Sequence, residues 1–294
     1  MPELPEVEAL ASDLSRRLAG RAVIRVDIVA ISCLKTYDPP ISALSGGLVD
    51  GVRRYGKFLD LDIGGTHLVL HLAKAGWVRW KDTVPATPPR PSMKSPLAAR
   101  VVLSPGPEGG EEAALDITEA GTRKGLALYV VRDPQQVEGV ARLGPDPLAD
   151  NFTPEVLQGI LQAAGRAQIK GVLRYQSNIA GIGNAYSDEL LHAARLSPFK
   201  PANSLTEGEL ETLWTAIREV LGEAVRRSAG LDASKLKGEK KTNLAVHGRT
   251  GEACPVCGDT VREVSFADSS LQYCPTCQTG GKPLADRRMS RLLK

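Results

Sequence analysis

The spacing of apolar residues changes along the chain. Val7, Leu10, Ala11, Leu14 and Leu18 recur every three or four positions, the period of a helix with one buried face, and Gly20 closes the run. Pro5 suits the first turn of that helix, where a backbone N–H has no partner to lose. Beyond Gly20 the period falls to two. AVIRVDIVA (22–30), FLDLDIGG (58–65), THLVLHLAKAGWVRW (66–80), ARVVLS (99–104) and GLALYVV (125–131) read as strands, and the glycines of IGGTH make a hairpin turn. TVPATPPRPSMKSP (83–96) and SPGPEGGEE (104–112) are too rich in proline and glycine to be anything but surface loops.

From about residue 136 helical spacing returns. TPEVLQGILQAA (153–164) and AYSDELLHAARL (185–196) are helices. A third starts at a capping box, Thr206 with Glu209, and continues through Leu210, Leu213, Trp214, Ile217, Leu221 and Ala224 to about Gly230. NIAGIGNAYSDE is a glycine-punctuated turn between helices. These changes of period divide the chain into a mostly β part with one leading helix (1–135), a helical part (136–235), and a basic linker with a cysteine-rich end (236–294). No internal repeat is visible.

Composition narrows the class. Of the 294 residues 42% are hydrophobic, enough for a core, yet no run of ~18 apolar residues spans a membrane. The first twenty residues carry early acids and no continuous apolar stretch, unlike a secretory signal, so the expected location is the cytoplasm, near the nucleoid. Net charge is only +3, but its distribution is uneven. Lys235, Lys237, Lys240, Lys241 and Arg249 face only Asp232 and Glu239 nearby, and the tail adds Lys282, Arg287, Arg288, Arg291 and Lys294 against Asp286. A basic C-terminal third fits either phosphate contacts or a solubilising surface.

Four of the five cysteines form two knuckles, Cys254-x2-Cys257 and Cys274-x2-Cys277, sixteen residues apart. In an intracellular chain such pairs are metal ligands rather than disulfides. Four thiolates satisfy tetrahedral zinc and leave no position for a catalytic water, so one structural Zn2+ is expected. The strand–turn–strand pattern of TVREVSFADSSLQY between the knuckles makes a β-hairpin finger. Cys33 follows a strand-like run and reads as a small core residue.

The N terminus, MPELPEVEAL, has two readings. Proline and acids in a first helical turn are good capping chemistry. Alternatively, removal of Met1 exposes Pro2 as a secondary amine with a pKa near ~8, neutral often enough at pH 7 to act as a nucleophile beside the Glu3 carboxylate.

PELPEVE at the start, LGPDPL (143–148), the GIGNAYSDE turn and a C-terminal four-cysteine finger occur in the order that characterises one family. Over its whole length the chain resembles the formamidopyrimidine-DNA glycosylase/endonuclease VIII family of base-excision enzymes. The resemblance implies an α+β multidomain fold: a leading helix and β-sandwich, a central helix–two-turn–helix domain, and a β-hairpin zinc finger, with damaged double-stranded DNA in the cleft and its lesion flipped out of the stack. It implies a monomer with glycosylase and abasic-site lyase activity, in which Pro2 is the nucleophile, Glu3 the acid/base, and Glu6, one turn on, orders the site. It further implies that Lys57, beside Arg53 and Arg54, contacts the phosphate at the lesion, and that His71, Lys170 and Asn184 contact DNA.

Three departures from the family pattern stand out. HLAKAG places Lys74 where a wedge methionine is expected. TEAGTRKGL replaces the family's Asp-Pro-Arg-Arg-Phe-Gly stretch and leaves Arg123 and Lys124 as its remnants. Ser269 falls where the finger carries a phosphate-clamping arginine, and a hydroxyl is no substitute for a cationic fork. These changes suggest a branch distinct from the best-known members, with an endonuclease VIII-like range of lesions. They also motivate an alternative, a non-catalytic or weakly catalytic binder of damaged or abasic DNA. Nothing resembles a recognition helix rich in base-reading side chains, as a sequence-specific regulator would need.

Overall fold

The structure, a computed structural model, describes residues 1–92, 94–122, 124–266 and 269–285. The chain forms two compact units, one of residues 1–143 with 228–237, the other of residues 144–227 with 238 onward. Among the described residues no helix is long and apolar enough to cross a membrane.

In the first unit helix α1 (Leu4–Leu18) buries Leu4, Val7, Leu10, Leu14 and Leu18 to 2% exposure or less, each worth roughly 1.5–3 kcal/mol relative to exposure. Strands β1 (Val23–Ile28), β2 (Val49–Tyr55), β3 (Phe58–Ile63), β4 (Thr66–His71), β5 (Gly76–Lys81), β6 (Leu97–Leu103), β7 (Ala113–Glu119) and β8 (Ala127–Val131) make two four-stranded antiparallel sheets, ordered β1-β6-β7-β5 and β2-β3-β4-β8. Leu59, Leu61, Leu68 and Leu70 of one sheet share a core with Val101, Leu115 and Ile117 of the other and with the apolar face of α1. This is the sandwich. Gly64 and Gly65 turn the β3–β4 hairpin at φ of 58° and 78°, the left-handed pair a two-residue turn requires. Arg100 and Asp116, opposite each other on β6 and β7, form a buried two-bond pair at 2.6 and 2.9 Å.

The single strand expected over 66–80 is two strands in different sheets. Gly76 N donates to Leu72 O at 2.8 Å and Ala73 has φ of 50°, so the chain folds tightly there. A Cβ on residue 76 would lie 2.1 Å from that oxygen, which only glycine avoids. Strands β2 and β7 were not legible: Gly51 and two arginines interrupt one, and small alanines with a buried Asp116 mask the other.

A short helix, α2 (Glu138–Ala141), closes this unit's first segment. The second unit contains α3 (Pro154–Ala163), α4 (Ile169–Arg174), α5 (Asn184–Ala193) and most of α6 (Glu207–Ser228), with the Thr206–Glu209 box in place. α7 (Leu236–Asn243) leads to the hairpin β9 (Arg262–Ser265) and β10 (Ser270–Tyr273) and to α8 (Pro275–Thr279). Two adjacent acids on α5 hold this unit together. Asp188, fully buried, accepts from Lys170 Nζ (2.6 Å), His247 Nδ1 (2.7 Å) and Gln272 N (3.2 Å). Glu189 accepts from the backbone N–H groups of Ala245, Val246 and His247 at 2.6, 3.0 and 2.8 Å. Burial pushes the Glu189 pKa up, and those donors pull it back.

Asp188→Ala takes the carboxylate from a buried ammonium. Urea denaturation should show about 3–5 kcal/mol lost, whereas Arg226→Ala, breaking an exposed pair with Glu223, should cost less than about 1 kcal/mol.

Candidate active site and zinc centre

The terminus is held by its own helix. Glu3 is the N-cap of α1 in extended backbone, φ −119° and ψ −175°. Glu6 Oε2 accepts the Glu3 N–H at 2.8 Å and the Glu3 side chain accepts the Glu6 N–H, a capping box with glutamate in the usual serine position. Both residues are buried, at 3% and 1% exposure. Buried carboxylates need donors, and the free N–H groups and positive dipole end of α1 supply them. Glu6 therefore clamps the Pro2–Glu3 peptide. Pro2 is buried and Met1 is 48% exposed.

Around this head the sandwich gathers its other candidates. α1 lies along β2 with Ser15 Oγ on Val52 O (3.1 Å) and Glu8 on Arg54 (2.6 Å), so its N terminus points toward the Tyr55–Phe58 turn that carries Lys57. Lys57 is 7% exposed. His71, paired with Phe58 across β3 and β4, rests its ring on that phenyl at 4.7 Å. Burial, then the neighbouring Lys57 charge, lower the His71 pKa, which keeps the imidazole neutral at pH 7.

The Leu72–Gly76 turn follows, with Lys74 exposed at its tip. It abuts the loop after β7: Ala120 N lies 3.4 Å from Ala75 O, and a Cβ on Gly125 would meet Ala73 Cβ at 3.3 Å. Glu119 closes that loop by accepting from Gly125 N (2.7 Å) and Leu126 N (3.1 Å). Lys124 turns inward to donate to Glu119 O at 2.5 Å. Arg123, expected at DNA, lies outside the described residues, as does the basic tail from residue 286. One end of the sandwich thus brings together Pro2, Glu3, Glu6, Lys57, His71 and Lys74.

The second unit carries the metal centre. The sulfurs of Cys254, Cys257, Cys274 and Cys277 all lie within 4.8 Å of one another, with Cys254–Cys277 at 3.9 Å and Cys257–Cys274 at 3.3 Å. Thiolates ~2.3 Å from a tetrahedral zinc are ~3.8 Å apart, whereas disulfide sulfurs are ~2 Å apart. The four thiols fit zinc and hold one structural ion. Between the knuckles the β9–β10 hairpin closes with Phe266 N donating to Ser269 O at 2.8 Å. Asn184, first residue of α5, donates from Nδ2 to Ser270 O at 2.8 Å, and its buried Oδ1 meets no partner among the described residues. Cys33 is buried, and burial pushes its thiol up to about 11, consistent with an inert core residue.

Lys170 departs from its expected phosphate contact. It is 5% exposed, and its ammonium donates to Asn184 O (3.0 Å), Ser187 Oγ (2.7 Å) and Asp188 Oδ1 (2.6 Å). An ammonium has three donors, and these are directed inward. Lys170 shapes the turn that presents Asn184.

Sequence reasoning missed Glu119, the Asp188–Glu189 pair and His192. A usable signal existed in the histidines, of which the chain has four. His67 meets the buried Asp60 (2.9 Å), His247 meets Asp188, and His192 Nε2 lies 3.2 Å from Cys254 Sγ.

Known proteins share these domains and this fold. Residues 1–117 match the formamidopyrimidine-DNA glycosylase N-terminal domain, residues 143–235 the formamidopyrimidine-DNA glycosylase H2TH domain, and residues 251–280 the zinc finger found in FPG and IleRS. An uncharacterised formamidopyrimidine-DNA glycosylase-like protein of Mycobacterium tuberculosis is 61% identical over 152 residues, 52% of this chain and 94% of that protein. The formamidopyrimidine-DNA glycosylase of Symbiobacterium thermophilum is 37% identical over 298 residues, 98% of this chain and 93% of that one. The crystal structure of Lactococcus lactis Fpg (MutM) with Fapy-dG-containing DNA superposes with a TM-score of 0.80 at 26% identity, covering 94% of this chain and all of that one. With all three domains matched in order and a relative of this identity along nearly the whole length, the chain belongs to the formamidopyrimidine-DNA glycosylase family.

Proposed function

We propose that this protein is a bifunctional DNA glycosylase and abasic-site lyase of base-excision repair, acting on oxidised or ring-opened bases in duplex DNA. The observation that carries the reading is the buried Glu3–Glu6 capping box, which fixes Pro2 and a carboxylate side by side in a chain of this family. After loss of Met1, the neutral Pro2 nitrogen attacks the sugar C1′ and the base departs with its bonding electron pair. Glu3 supplies the proton for the ring oxygen or the leaving base. Once the amine proton is lost, the nitrogen lone pair forms the C=N bond of an iminium as the C1′–O4′ bond breaks, its electron pair going to the ring oxygen that Glu3 protonates, and the iminium acidifies C2′. Removal of that proton expels the 3′ phosphate, and a second elimination releases the 5′ phosphate. Water then frees Pro2.

Lys57 and the neutral His71 sit at the same end of the sandwich and suit a phosphate flanking the flipped nucleotide, one by charge and one by an N–H donor. The Lys74 turn, backed by the Glu119 loop, fills the gap in the stack with an aliphatic stem and sends its ammonium to phosphate. The DNA in the Lactococcus lactis complex supports a ring-opened purine among the substrates. Ser269 and Lys74 favour a second reading, a binder of abasic DNA that does not cleave. The two readings separate on one gel, since a correctly processed chain that binds abasic duplex and leaves it uncut supports the second.

Two outcomes test the proposal. Glu3→Gln, which keeps an N-cap acceptor, should cut base excision by about 10^2–10^4-fold while leaving duplex affinity within a few fold, measured on duplexes bearing Fapy-dG, 8-oxoguanine, thymine glycol or an abasic site; unchanged excision removes Glu3 from the chemistry. Ser269→Arg should tighten binding and steepen the log K against log salt slope by about one, measured by fluorescence anisotropy across a salt series; an unchanged slope shows that the hairpin tip does not meet phosphate.

A further inference from the structure

A four-thiolate zinc centre carries two net negative charges, and its stability depends on the N–H groups directed at its sulfurs. Cys254 is approached by a side chain from outside the finger. His192, on the last turn of α5, places Nε2 3.2 Å from Cys254 Sγ. Both residues are buried, at 5% and 3% exposure.

We infer that His192 is a positioning residue of the zinc centre, its Nε2–H donating to the Cys254 thiolate. A zinc-bound thiolate has no proton of its own, so a contact this short needs the hydrogen on the imidazole, which fixes the tautomer. The nitrogen is not a fifth ligand: the cluster of mutually close donor atoms holds the four thiols alone among the described residues. The bond withdraws charge from one sulfur, making it less reactive toward electrophiles and slowing loss of the metal. It also joins the helix that begins with Asn184 to the first knuckle of the finger. Gln278 makes a parallel link, donating to Leu196 O at 2.9 Å while accepting from Cys274 N at 2.9 Å. The helix–two-turn–helix element and the metal centre therefore share one hydrogen-bonded frame, and metal loss is transmitted to α5.

The test uses the full-length protein. His192→Phe keeps a ring but removes the donor, and His192→Gln restores an N–H at a similar reach. Zinc release to a chromogenic chelator should be about tenfold faster in the Phe variant and near wild type in the Gln variant. In the cobalt-substituted protein the thiolate-to-metal charge-transfer band should move to lower energy in the Phe variant and recover in the Gln variant. A merely space-filling histidine predicts no change in that band, and wild-type spectra and release rates in His192→Phe overturn the inference. If the Phe variant does not fold, cadmium-113 substitution of the unaltered, nitrogen-15-labelled protein decides. A protonated His192 Nε2 with coupling to cadmium through the bond supports it, and an unprotonated Nε2 overturns it.

Discussion

Everything proposed for the first unit depends on a chain terminus being held still. Termini ordinarily fray because nothing offsets the entropy of fixing them. Here the residue after the terminal dipeptide begins a helix whose apolar face is wholly buried in the sandwich, and the Glu3–Glu6 box ties the Pro2–Glu3 peptide to that helix. The arrangement satisfies two needs with the same atoms. The carboxylates cap donors that the helix would otherwise leave unpaired, and one of them is thereby buried beside Pro2. Structural and catalytic readings of the N terminus are not rivals in such a site, because the cap is what makes the second residue available at a fixed position.

The second unit solves a similar problem by different means. A small β-hairpin finger has little core of its own, so its fold comes from metal and from its neighbours. The carboxylates of Asp188 and Glu189 collect His247, Gln272 and three successive backbone N–H groups. Asn184 reaches the finger hairpin and His192 reaches the first knuckle, so α5 carries much of the attachment, and Gln278 adds its bond to Leu196 O just beyond that helix. The same Asp188 takes up the Lys170 ammonium, which is why that lysine faces inward.

Much of this was legible because it rests on local rules. The leading helix shows its period, the third long helix its capping box, and the metal centre the spacing of its knuckles. What escaped depends on contacts distant in sequence or on geometry that residue type barely encodes. The break in residues 66–80 turns on one glycine whose missing Cβ admits a carbonyl, and in sequence that glycine looks like any other in a strand. Lys170 shows a cation's identity and nothing of Asp188 eighteen positions later. His192 resembles a polar residue on an amphipathic helix, and only the fold brings Cys254, sixty-two residues away, against it. Ser269, where the resemblance implies an arginine, was visible in the sequence, and the structure adds that its carbonyl accepts the Phe266 N–H.

The central claim is that the Pro2 nitrogen, freed of Met1, forms the covalent link to DNA. It is tested most directly by reducing the protein–abasic duplex reaction with borohydride, digesting the adduct, and locating the sugar remnant by peptide mass spectrometry. The account predicts a chain lighter by one methionine with the remnant on its N-terminal proline. A remnant on a lysine side chain, or none on a chain shown to have lost Met1, would contradict it.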